Sequence, residues 1–132
     1  MVASEASSWA SILTWYPRGE LIEYVHDEQI RKYGGRMGFH RDSKILDRII
    51  AGTREYEGDI YEKAAFLLRR LIVDHVFRDG QHRTAFVVAV DFLKKNNGSI
   101  YHGDYQKARS FLKSIRAYDV EQVARWIRYG DL

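Results

Sequence analysis

The sequence predicts an all-α, single-domain fold, and three observations predict it. Apolar side chains recur at helical spacing in successive segments. Gly34, Gly35, Gly52, Gly98 and Gly130 each follow such a segment, and residues suited to helix capping precede several of them. From Glu20 to Tyr33, Leu21, Tyr24, Val25 and Ile30 recur at roughly helical spacing, and Gly34 is placed to end the helix. Gly34, Gly35 and Gly38 then make a turn. Asp42 or Ser43 can cap a short helix carrying Ile45, Leu46, Ile49 and Ile50, with Gly52 as its stop. Thr53 to Ile60 is polar and aperiodic, which reads as an exposed connection or a flap over a site. Tyr61 to about Asp74 places Ala64, Leu68, Leu71 and Ile72 on a stripe that continues to His75 and carries it inward. His82 to Lys95 is apolar nearly all round, as a buried central helix is, and Lys94, Lys95, Asn97 and Gly98 form its end. The valines would also suit a strand, but the segment is long for one. Two more helices follow. The first runs from Asp104 and carries Tyr105, Ala108, Phe111, Leu112 and Ile115; the second is capped by Asp119 with Gln122 three residues on.

A chain of 132 residues has room for one hydrophobic core. With 45% hydrophobic and 30% charged residues and no apolar run approaching a membrane span, it reads as a soluble protein with no membrane partner. The absence of cysteine excludes disulfides, thiol nucleophiles and thiolate metal sites, and no signal pattern opens the chain, so the expected compartment is cytoplasmic. The net charge of +3 arises from 21 basic and 18 acidic residues interleaved along the chain, not from the clustered stripe of a nucleic-acid binder. A sequence pI of about 9.2 is the main feature on which nucleic-acid binding would rest.

The densest chemistry lies between His75 and Arg83, where a helix, a loop and a buried helix meet. The start of the second helix offers unpaired N–H groups and a positive dipole end, and Gly80 allows close backbone approach, together an anion cradle. Arg83 can add a planar fork for phosphate oxygens, and Asp79 can hold a divalent cation bridging them. His75, across the loop, is suited to taking a proton from a hydroxyl near neutrality. Singly, each has a plainer reading: a core histidine, an Asp-Gly turn, a surface ion pair. Jointly, His-x-Phe-x-Asp-Gly-x-x-Arg ahead of a buried helix points to phosphoryl or nucleotidyl transfer, with Phe77 as the loop's core anchor.

The same stretch resembles the signature of the Fic/Doc proteins, His-Pro-Phe-x-(Asp/Glu)-Gly-Asn-(Gly/Lys)-Arg. The likeness is closest to the Doc, or death-on-curing, branch. It extends to His26-Asp27, Ile30, Tyr33-Gly34-Gly35, Gly38 and Asp42, then to Lys63-Ala64-Ala65, Arg83-Thr84-Ala85 and Phe92-Leu93-Lys94-Lys95-Asn96. On this reading residues 1–19 are an N-terminal extension and residues 20–132 the domain. The resemblance implies a helical fold that transfers part of ATP to a protein hydroxyl with Mg2+. By the same resemblance His75 is the general base, Asp79 the metal ligand, and Gly80, Gln81, His82 and Arg83 the phosphate-binding residues. It further implies a toxin with an antitoxin protein as partner and a Ser/Thr hydroxyl as target, elongation factor Tu being the branch's usual one.

Three positions depart from the pattern. Gln81 stands for asparagine and could still meet a phosphate from a shifted position. His82 stands for glycine or lysine and supplies less positive charge. Phe86 stands where AMP-transferring members carry a second arginine, and members lacking it are implied to bind the nucleotide reversed, for kinase chemistry. Transfer of the γ-phosphate is therefore expected before AMP transfer, with a degenerate fold that only binds nucleotide or a partner as the remaining alternative. Thr53 to Gly58 also fits the loose pattern of an inhibitory helix, but such a glutamate would pair with the arginine that Phe86 replaces. His26 reads as a helix-packing residue before a ligand. His40 and His102 lack ligand spacing to each other or to His75.

Overall fold

The computed structural model describes residues 13–132; residues 1–12, most of the expected N-terminal extension, lie outside the described residues. Among the described residues six α-helices follow one another: α1 (Gly19–Tyr33), α2 (Lys44–Glu55), α3 (Ile60–Val73), α4 (Gln81–Lys95), α5 (Tyr105–Lys113) and α6 (Val120–Tyr129). A 3₁₀ turn, Ile115–Ala117, links the last two. The all-α expectation holds, and among the described residues the extended backbone amounts to an isolated antiparallel bridge between Phe39 and Phe77.

Local chemistry sets the helix starts. Asp59 and Glu62 form a reciprocal capping box at α3, Asp119 and Gln122 do the same at α6, and Asp104 accepts from the Gln106 N–H at α5. Helix α3 is buried along Ala64, Ala65, Leu67, Leu68, Leu71 and Ile72, and packs against α4, α6 and α2. No residue of α4 before Lys94 is exposed, so the nearly all-apolar segment is a central helix as its composition requires. Trp15 and Tyr16, ahead of the expected domain start, pack on this core. The Asn96 side chain binds both the N–H and the carbonyl of Trp15, at 2.8 and 3.0 Å.

The structure corrects two local expectations. Gly52 does not stop α2, which runs on to Glu55. A Cβ at Gly52 would lie 2.9 Å from the Phe66 ring, so this glycine serves close packing of α2 on α3. Residues 53–60 are also no flap. Thr53 is fully buried, and the buried Lys63 donates to the carbonyls of Thr53, Arg54 and Tyr56 at 3.1, 2.8 and 2.7 Å, closing the end of α2. Eleven residues, the rest of α3 and its cap, separate Lys63 from His75, about 15 Å of helix to Val73, which puts this segment at the far end from the loop.

Candidate active site

Helix α3 ends at Val73, and the chain crosses to α4 through residues 74–80. His75 lies just beyond the helix, in left-handed backbone with φ 51°, and is exposed. The stripe therefore does not carry it inward as expected. The helix terminates first, and the left-handed turn swings the imidazole to the surface of the junction. Such a conformation in a non-glycine residue is uncommon and clusters at functional sites. Phe77 plunges back into the core at 1% exposure and anchors the loop, as the sequence suggested.

Helix α4 opens on Gly80, whose φ of 80° is left-handed. Its missing side chain faces the protein: a Cβ there would meet Ile30 at 3.1 Å, which lets α1 press against the loop. No side chain caps α4. Its first backbone bond, Thr84 N–H to the Gly80 carbonyl at 3.0 Å, leaves the N–H groups of Gln81, His82 and Arg83 without an intrahelical acceptor. These are the N–H groups on which the expected anion cradle rests.

The four side chains around it are disposed differently. Gln81 is buried, and its amide nitrogen lies 2.9 Å from Nδ1 and 3.1 Å from Nε2 of His75, so it is turned to the imidazole and not toward the cradle. His82 is half-buried; burial first, then the charges of Lys113, His75 and Arg116, hold it below the ordinary histidine value and therefore neutral at pH 7. The guanidinium of Arg83 lies over the rings of Tyr33, at 3.8 Å, and Tyr105, at 4.3 Å. The carboxylate of Asp79 accepts from the Arg36 backbone N–H at 2.6 Å, from its Nε at 3.1 Å and from its Nη2 at 3.4 Å. These bonds hold the Asp79 carboxyl below its usual range, so it is ionised at neutral pH. An ionised, partly exposed carboxylate beside an uncapped helix start fits one protein ligand of a divalent cation whose other ligands are phosphate and water.

Three residues from the first third of the chain complete the junction. His26, buried at 1%, stacks on Phe77 at 3.8 Å and 7°, and its Nε2 is 2.8 Å from the Asp79 carbonyl. It packs a helix, as expected, and also holds the loop. The bridge at Phe39 and Phe77 is flanked by His40 N–H to the Val76 carbonyl at 2.9 Å and Arg78 N–H to the Gly38 carbonyl at 3.1 Å. It brings the His40 ring to 4.8 Å from that of His75, a proximity that sequence spacing did not suggest. Arg36 and His40 carried no local signal; the glycine turn around them was the one hint.

Comparison with protein-family models matches residues 16–93 to the Fic/DOC family. Among curated proteins, the chain is 34% identical over 86 residues to "Protein kinase doc" of Escherichia phage P1, covering 62% of this chain and 68% of that protein. No solved structure matches it. The helical fold, the loop from His75 to Arg83 at the uncapped start of α4, and these two matches agree: the chain belongs to the Fic/DOC family, on its Doc branch.

Proposed function

We propose that this protein is a Doc-type phosphotransferase that moves the γ-phosphate of ATP to a Ser or Thr hydroxyl of a protein, as the toxin of a toxin-antitoxin pair. The carrying observation is the junction itself. An exposed imidazole on a left-handed turn stands beside an uncapped helix start, an ionised Asp79 and an arginine whose guanidinium has no hydrogen-bond acceptor among the described residues.

In this reading His75 accepts the hydroxyl proton as the target oxygen bonds to the γ-phosphorus. The bond from that phosphorus to the bridging oxygen breaks, and ADP leaves with the electron pair. The N–H groups of Gln81, His82 and Arg83 and the Arg83 guanidinium bind phosphate oxygens. Asp79 would hold Mg2+, which supplies neutralising charge on the phosphates. Arg36 must then yield part of its hold on that carboxylate. The Gln81 side chain, whose amide lies 2.9 and 3.1 Å from the two ring nitrogens, would hold the His75 ring in place.

Phe86, buried at 5% where a second arginine would stand, favours γ-phosphate over AMP transfer. The target is proposed to be a translation factor such as elongation factor Tu, and the partner a small antitoxin. Purified protein and lysate with Mg2+ and ATP labelled at the γ- or α-phosphate test this. Label on a protein from γ-ATP alone, lost in His75→Ala, is expected. Label from α-ATP would make it an AMP transferase, and ATP binding without transfer would leave a binding module.

A further inference from the structure

We infer that Tyr33 and Tyr105 are positioning residues, an aromatic clamp that fixes the Arg83 guanidinium for the phosphates; this rests on the nucleotide-binding reading above. Three elements meet at this point. Tyr33 closes α1, Tyr105 opens α5, and Arg83 sits in the first turn of α4. The guanidinium carbon is 3.8 Å from one ring centroid and 4.3 Å from the other, within the range of cation–π contact. No carboxylate or carbonyl among the described residues takes its N–H groups. Rings attract a guanidinium through its faces and leave the in-plane donors for an anion, so the clamp orders the side chain without occupying the groups that recognise phosphate.

Phe86 gives the clamp its backing. Its buried ring meets Tyr105 edge to face, with centroids 5.6 Å apart at 72°. The position that would carry a second arginine thus supports the ring that holds the first. Phosphate binding by side-chain cation is concentrated on one arginine with a fixed seat, and an arginine ordered before the nucleotide arrives loses less freedom on binding it.

The test is a set of substitutions read by ATP titration calorimetry, transfer kinetics and the Arg83 Nε–H signal in NMR. Tyr33→Leu and Tyr105→Leu are each expected to weaken ATP binding about 2- to 5-fold, raising KM while kcat holds. Tyr33→Phe and Tyr105→Phe, which keep the rings, restore the wild-type values. In an Arg83→Ala background the leucine substitutions have no further effect on ATP binding. The Arg83 Nε–H resonance, displaced by the rings in the wild type, moves toward that of free arginine in the leucine variants. Unchanged ATP affinity, failure of phenylalanine to rescue, or a leucine effect that persists without Arg83 would overturn the clamp. If wild-type protein binds no ATP, the nucleotide reading falls; the NMR shift then decides the clamp alone, and a resonance that does not move refutes it.

Discussion

Arg36 brings both its backbone N–H and its guanidinium to Asp79, so a metal ion at that carboxylate displaces a resident positive charge. Arg36→Ala is expected to tighten Mg2+ binding severalfold, measured as Mn2+ substitution by water-proton relaxation; equal or weaker binding would show that the two do not compete. The pair also has a pH signature. Asp79 is held below its usual range, so its contribution to stability is present above the ordinary carboxylate range and fades as pH falls through the folded-state value. Asp79→Asn should remove that acid dependence. His82 is likewise depressed, by burial and by Lys113, His75 and Arg116. Its contribution is full above the ordinary histidine value and declines below it, because the unfolded chain takes up the proton first. A His82 ring titration midpoint above that of a free histidine would contradict this. Of these residues the sequence exposes His75, Asp79 and Arg83 through their mutual spacing. It hides Arg36 and His40, whose relation to the loop exists only once the chain has turned back on itself.

Gly52 shows why a helix is harder to bound than to find. A glycine that ends a helix and one that lets two helices touch look alike in sequence, and only the Phe66 ring at 2.9 Å from the absent Cβ distinguishes them. Helix propensity alone would favour Gly52→Ala by about 1 kcal/mol. The clash with Phe66 is expected to reverse the sign, to a net loss of about 1 kcal/mol or more in urea unfolding. Lys63 is the complementary case, a buried cation that closes α2 from the first turn of α3. Lys63→Met, which keeps much of the stem, should cost about 3 kcal/mol in the same experiment because it leaves carbonyls of the α2 end unpaired. The segment read as a flap is therefore fixed from beneath. Its polar composition reflects exposed residues at 54, 55 and 57–59, not a loop free to move.

For the molecule as a whole, periodicity and caps were enough to reveal an all-α chain, because most helices bury one stripe and three of them begin at a side-chain cap. The arrangement that shapes the site was not legible, since α1 and the glycine turn reach the motif loop by contacts between residues far apart in the chain. If ATP binds the folded form alone, mass action predicts a gain of about 2.7 kcal/mol at a hundredfold excess over Kd. A rise of several degrees in Tm with Mg2+ and ATP should follow, reduced in Arg83→Ala and Asp79→Asn; an unchanged Tm in the wild type would count against nucleotide binding. The anchoring of the loop by His26, Arg36 and the bridge at Phe39 has a further consequence. A fragment spanning residues 60–95 would spell the whole signature and still lack its shape, because the groups that hold Asp79 and Phe77 in place would be missing from it. The signature is a property of a short segment, whereas the site exists only in a chain that has closed loops of 43 and 53 residues upon it.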